Sequence, residues 1–445
     1  MSSRAVPSRT PKTIFAAAGP ALAWLLAVAC STSAFATEGY LQNGIGARQK
    51  ALAGAGVASS TDATAASLNP AGLVNAGSQI NAAISIMNMT GGYRSWGSGG
   101  VTADGAYDSQ REVAAIPNFA ASWRVNWGLV DAVGFTAYGN GGVDTRYGNI
   151  ANPLCGGASG VFCGGPLGLT LEQTFISVAF AKQVMPGLSV GIAPILARQT
   201  VEVRGVSLYS VFSTDPGRFT DKGESESWGV GVRGGVEWHA RPWLRFGVAG
   251  NAPISMSRSE DYRGLFAAQG GADIPATIQA GIAVDLRSNL TLMVDYKHIW
   301  FGNNPAVANP STNLFTLGAL FGANNGSGFG LQDVDAIKVG LEWRQSPGLT
   351  LRAGYSYNTA PLKSHDADLN IMTLGVVQHH ITGGLKYALT DNLDLEFATM
   401  YAPRASIRGP ELGNPARTVE IEMSELEFTV GMVYRFGGRH AEPLK

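Results

Sequence analysis

Two-residue alternation runs through most of this chain, and a chain written that way has few folds open to it. From Leu426 to Phe436 the even positions are Leu426, Phe428, Val430, Met432, Tyr434 and Phe436, set between Glu425, Glu427, Thr429, Gly431 and Arg435. Ile337, Val339, Leu341 and Trp343 alternate with Lys338, Gly340, Glu342 and Arg344. Trp228, Val230, Val232, Val236 and Trp238 alternate with Arg233, Glu237 and His239. Period two over such lengths specifies strands with two unlike faces. A soluble antiparallel sandwich alternates too. Here, however, one face is almost uninterruptedly apolar, while charge and glycine gather on the other. An Arg or Lys facing lipid costs about 2–4 kcal/mol at the bilayer midplane. Its near-absence from the apolar face is what a bilayer enforces.

The start of the chain agrees. Arg4, Arg9 and Lys12 precede the apolar stretch Ile14 to Ala29, and Ala34-Phe35-Ala36 is a small-x-small cleavage site, so residues 1–36 read as an export signal. The alternative is a lipoprotein site at Cys30. No later run reaches the roughly 18 apolar residues of a membrane helix. Charged residues make up 15% of the chain and glycine 58 positions, against a usual charged fraction of about 25%. Export, low charge and alternation together predict an all-β fold. The expected form is a 14-stranded antiparallel transmembrane barrel in the outer membrane of a Gram-negative bacterium. A net charge of −1 gives no reason to expect nucleic acid. The six histidines show no zinc spacing, and His379 and His380 fall on opposite faces of one strand. There is no Walker-type glycine loop. No catalytic residues, metal or cofactor are expected.

Strand onsets are expected near residues 79, 111, 129, 170, 188, 225, 242, 275, 290, 333, 349, 377, 392 and 423. Every second junction is tight, as at Met185-Pro186-Gly187 and Ser346-Pro347-Gly348. The others are long: 94–110, 140–169, 205–224, 259–274, 302–332, 359–376 and 403–422. Short periplasmic turns opposite long outer loops suit a barrel. Trp123, Trp127, Trp238, Trp243, Trp343 and Tyr434 fall near the tight turns. Tyr93, Tyr138, Trp300, Phe301, Tyr357 and Tyr401 fall near the long loops, giving two expected aromatic girdles. Residues 37–78 do not alternate. Alanine favours short helices there, and Gly and Pro interrupt them. The expected organisation is a signal (1–36), a plug or hatch inside the lumen (37–78), a barrel (79–436) and a periplasmic tail (437–445). The alternative for 37–78 is a disordered periplasmic leader.

Gly44-Ile45-Gly46-Ala47-Arg48, the glycine-rich stretch after it and Asn69-Pro70-Ala71 resemble the N-terminal hatch of the FadL long-chain fatty-acid transporters. That family also includes the TodX-type importers of aromatic hydrocarbons. Ile116-Pro117-Asn118-Phe119, Asp273-Ile274-Pro275-Ala276 and Leu351 to Tyr357 carry the similarity along the chain. The resemblance implies a monomeric barrel closed by the hatch, with Asn69, Pro70 and Ala71 as its gating motif. It implies passive uptake of long-chain fatty acids or similar hydrophobic compounds, captured among the outer loops. Release would run sideways into outer-membrane lipid at a kink in the third strand. A TodX-like importer of aromatic hydrocarbons and a general diffusion porin are the alternatives.

Three local features accompany this. Gly139-Asn140-Gly141 marks a bulge near the end of the third strand, or a loop that begins early. By resemblance it is the kink, and Asn69-Pro70-Ala71 is expected beside it. In the fifth strand the apolar positions change from even (Leu188, Val190, Ile192) to odd (Ile195, Ala197, Val201, Val203). A bulge at Ala193-Pro194 would do this and would turn Arg198 inward. By resemblance Arg198 then meets a substrate carboxylate. The alternative is a structural pair with Glu202. Cys155 and Cys163, exported to an oxidising compartment, are expected to pair as a loop staple.

Overall fold

The computed structural model of the chain describes residues 38–110, 113–125 and 127–436. The expected signal, the Cys30 alternative and the tail beyond Phe436 lie outside those residues. Fourteen strands follow one another round a single antiparallel ring. They are β1 (Gln79–Gly97), β2 (Val113–Arg124), β3 (Ala132–Tyr147), β4 (Leu167–Met185), β5 (Leu188–Arg204), β6 (Ser225–Arg241) and β7 (Leu244–Asn251). The second half comprises β8 (Thr277–Arg287), β9 (Leu290–Ile299), β10 (Val334–Ser346), β11 (Leu349–Asn358), β12 (His379–Ala388), β13 (Leu393–Glu411) and β14 (Asn414–Arg435). The ring closes where β1 pairs with β14, from Gln79 opposite Arg435 to Gly97 opposite Arg417. A short strand at Gly105–Asp108 folds back on β1. The β1–β14 ladder leaves no open edge where the ring closes; unpaired N–H and C=O groups against lipid would cost several kcal/mol each.

Side-chain direction follows the alternation. Ile192, Val230, Ile337, Ile381 and Phe428 stand exposed on the outside, while Ser85, Glu237, Asp295, Lys338, Arg352 and Glu427 are buried within. Trp123, Trp127, Trp238, Trp243, Trp343 and Tyr434 are exposed near the tight turns, and Tyr357 and Tyr401 near the long loops. Tyr93, Tyr138 and Phe301 do not join the outer girdle. They point inward and are buried, because above the plug the lumen is itself apolar. Val161, Phe162, Tyr209, Phe219, Phe321, Leu369 and Ile371 from several long loops share one core with Tyr93 and Phe301. The loops therefore form a packed cap.

The expected open loop 403–422 is a hairpin tip instead, turned at Leu412-Gly413. Its alternation was hidden by a register shift between Ala402 and Ala405, which moves every later side chain of β13 to the other face.

The outer face yields a direct test. Val430 is 50% exposed on β14, midway between Leu426, which lies opposite Tyr401 of the outer girdle, and Tyr434 of the inner one. Val430→Arg is expected to lower stability in a bilayer by about 2–4 kcal/mol, and Val430→Leu to leave it unchanged. Chemical unfolding in liposomes measures both, and equal stability of Val430→Arg and wild type would argue against lipid on this face.

Candidate functional site

The chain before β1 lies inside the ring. Its helices are α1 (Gly46–Ala51), α2 (Ala65–Leu68) and α3 (Leu73–Ala76). Such short pieces do not hold together alone, and the inner wall fixes them. Arg48 pairs with Glu342 on β10 at 3.1 Å, and Lys50 pairs with Glu427 on β14. Asp295 on β9 accepts from the N–H groups of Gly56 and Val57 at 2.8 and 2.9 Å. Gln279 on β8 donates to Gly54 O at 2.9 Å, and Thr382 on β12 to Ala51 O at 2.9 Å. Inward glycines allow close approach. A Cβ on Gly247 would sit 2.2 Å from Val57 O, and one on Gly235 2.1 Å from Asn69 Oδ1.

Asn69 is wholly buried and holds three groups at once. Its Nδ2 donates to Val57 O at 2.7 Å and to Val236 O on β6 at 3.0 Å, and its Oδ1 accepts from Ala71 N at 3.2 Å. Pro70 and Ala71 press against Gly191 of β5. The contacts of Asn69-Pro70-Ala71 are thus on β4, β5 and β6, and not at the β3 kink where they were expected.

The kink is met by a different piece of chain. Between β3 and β4 the register shifts from Gly139 to Gly141. On the other side, the β2–β3 ladder runs from Arg124 opposite Ala132 only as far as Asn118 opposite Tyr138. Pro117, next along β2, has no N–H with which to extend it. The freed edge of β3 pairs inward with residues 40–42. Gln42 N donates to Asn140 O at 3.0 Å, and Gly142 N donates to Tyr40 O at 2.9 Å. Gln42 Nε2 donates to Gly139 O at 3.0 Å. Across the lumen Glu38 is clamped by Lys297 of β9 and Lys338 of β10, each at 2.6 Å. Residues 38–42 form a crossbar from β9–β10 to the kink. Burial alone would raise the Glu38 carboxyl, but the two lysines outweigh it and hold it down to about 2.

Two cavities flank the crossbar. The upper one, about 50 Å³, is apolar: Val143, Leu169, Leu171, Val201, Phe266 and Leu331 line it, with Gly39 and Tyr40 as part of its wall. Its one charged lining residue is Asp273. The lower one, about 70 Å³, lies against Leu41 and Gln42 and carries Tyr138, Phe175, Ile274, Lys297 and Arg233. Lys297 is committed to Glu38. Arg233 reaches only neutral oxygens, Tyr138 Oη at 3.5 Å and Asn251 Oδ1 at 3.4 Å, and makes no ion pair with a described residue. The alternation had already placed Arg233 on the polar face of its strand. That it lacks an acid across the lumen is a property of several strands at once, invisible in any one of them.

Arg198 stands elsewhere. β5 keeps one register against β6 from Leu188 opposite Trp238 to Val201 opposite Ser225. No bulge occurs at Ala193-Pro194, so Arg198 faces outward and pairs with Glu226, while Glu202 pairs with Arg204 at 2.6 Å. The apolar positions switched because both environments switch at the membrane edge: lipid gives way to water outside, and polar plug to apolar cavity inside. Cys155 and Cys163 are disulfide-bonded in the loop after β3, with Cα atoms 5.3 Å apart. Among the described residues no cluster of His, Cys, Asp or Glu could hold a metal ion.

Residues 23–436 match the family model described as outer membrane protein transport protein (OMPP1/FadL/TodX). The fold is similar to the Pseudomonas putida toluene transporter TodX, at TM-score 0.62 and 16% identity, covering 89% of this chain and 100% of that one. A Pseudomonas aeruginosa FadL homologue gives TM-score 0.63 at 13% identity, covering 90% and 100%. The Ralstonia pickettii toluene transporter TbuX gives 0.57 at 17%, covering 88% and 99%. At such identities the likeness is one of fold. No curated protein sequence matches the chain.

Two expectations follow from the plug. Gly235→Ala drives a methyl into Asn69, so amide exchange at Gly56, Val57 and Ala71 should quicken at least about tenfold while β6 stays protected; unchanged exchange would remove Asn69 as an anchor. The Glu38 carboxyl falls from its usual 4.5 to about 2. Its stabilisation is therefore complete above about pH 4.5 and lost as pH falls toward 2. Exchange protection at Tyr40 to Gln42 should stay flat from about pH 7 to 5 and decline only below; a decline near pH 6 would contradict the clamp.

Proposed function

The chain belongs to the OMPP1/FadL/TodX family of outer-membrane transport proteins, and from that footing we propose that it imports hydrophobic carboxylic acids, such as long-chain fatty acids, by passive diffusion gated by the crossbar. The observation that carries this is the pairing of an apolar upper cavity with a lower cavity holding a guanidinium that has no acid partner among the described residues. A tail settles above, where each buried methylene contributes about 0.8 kcal/mol. A carboxylate is repelled by Asp273 there and attracted by Arg233 below, since guanidinium pairs with carboxylate through two parallel hydrogen bonds. The lower cavity opens to the acid once residues 38–42 move, acting as the hatch's moving part while Asn69-Pro70-Ala71 anchors the rest to the wall. Exit runs through the window between β2 and β3 at Gly139-Asn140-Gly141, where the wall has no strand-to-strand ladder. Cargo leaving there enters lipid, and a single barrel contains the whole path, so a monomer suffices. Nothing in this sequence of steps calls for a nucleotide or a cofactor.

A second reading has its own support. The upper cavity lacks any cation, which suits a neutral aromatic hydrocarbon. Arg233→Ala separates the two. With acid cargo, uptake of a radiolabelled long-chain fatty acid falls at least about tenfold while toluene uptake holds, and Arg198→Ala leaves both unchanged. Undiminished acid uptake by Arg233→Ala would transfer the assignment to neutral hydrocarbons.

A further inference from the structure

We propose that the outer ends of β13, β14 and β1 form a docking surface for the phosphorylated saccharide headgroup of the outer-leaflet glycolipid. The surface is made by the register shift between Ala402 and Ala405. Below it, odd residues of β13 such as Phe397 and Tyr401 face out; above it, Arg404, Ser406 and Arg408 do. The same shift turns Ala405 and Ile407 inward onto the loop core. Arg94 of β1 and Arg408 of β13 lie opposite Glu420 of β14 from its two sides. Arg408 pairs with Glu420 at 3.0 Å, and Arg404 and Arg94 pair with Glu422 at 3.0 and 3.6 Å.

The two paired acids, Glu420 and Glu422, lie beneath their cations. Arg94, Arg404 and Arg408 are 54%, 55% and 65% exposed, whereas Glu420 and Glu422 are 9% and 18% exposed. An approaching ligand meets three guanidiniums held by two recessed carboxylates. Arg408 also stands 5.8 Å from the ring centre of Trp96, which is itself exposed. A flat aromatic face beside clustered guanidiniums suits a sugar carrying phosphate.

Height selects the lipid. From Leu426 in the apolar band to Glu420 is six residues, about 20 Å along the strand and about 15 Å along the barrel axis at a usual tilt. An ordinary phospholipid headgroup layer is only about 5–8 Å deep. Only a lipid with an extended headgroup reaches Arg94 and Arg408, and its phosphates supply the charge that matches them.

The test uses the full-length protein in detergent, with lipopolysaccharide bearing its core phosphates, the same material dephosphorylated, and inorganic phosphate as probes. Binding is read by native mass spectrometry and by tryptophan fluorescence. The intact glycolipid should bind at least about tenfold more tightly than the dephosphorylated one. R94Q/R404Q/R408Q should lose the same factor while keeping heat-modifiable migration on gels. Equal binding of the two glycolipids by the wild-type protein overturns the proposal without any variant. So does wild-type affinity in a folded triple variant. Inorganic phosphate binding as tightly as the intact glycolipid would make this a free-anion site and overturn it also. Uptake plays no part in these readouts, so transport and docking stand or fall separately.

Discussion

Every backbone N–H and C=O that faces hydrocarbon has to find its partner within the protein. The ring of fourteen strands satisfies that condition, and the β1–β14 ladder completes it from Gln79 to Gly97. The lopsided connections follow from the same demand, since irregular chain is tolerated only outside the hydrocarbon. So does the placement of the window. β2 and β3 part company above Tyr138, and the polar groups of the freed edge turn inward to residues 40–42. A break in the wall is sustainable here because a second piece of the same chain supplies hydrogen bonds from the lumen side.

That arrangement couples the wall to the plug. The crossbar has one end in a buried ion cluster and the other in a strand edge, so moving it means giving up both. The rest of the plug is held differently. Arg48, Lys50, Asn69 and the amides of Gly56 and Val57 each bond to a fixed inner-wall group. Breaking a buried pair by removing one partner costs about 3–5 kcal/mol, so these several anchors hold that part of the plug to the wall. The abundance of glycine belongs to this packing. At Gly235 and Gly247 a side chain would collide with the plug.

The two cavities differ in character. One is oily and lacks a cation; the other is mixed and carries Arg233. Residues 39–42 stand between them. On the proposed function the tail of a carboxylic acid gains in the upper cavity and its head in the lower, and the sign of the charge at each level is set by which charges the wall already neutralises. Lys297 is consumed by Glu38, and Arg233 is not.

Period-two alternation by itself determined the strands, their inward and outward faces and the inner turns, because a one-residue error would reverse every side chain. It also put Gly139 to Gly141 at an irregular point. It misplaced Arg198, since a change of environment on both faces of β5 mimics a change of register, and it read 403–422 as loop because a bulge interrupts the pattern. What only the tertiary structure decided were relations between distant strands: Glu38 between Lys297 and Lys338, Asn69 against Val236, and Arg233 with no matching acid among the described residues. Alternation tells which side of the wall a residue occupies. Which residue faces it across the lumen depends on how the ring closes, and no single strand carries that information.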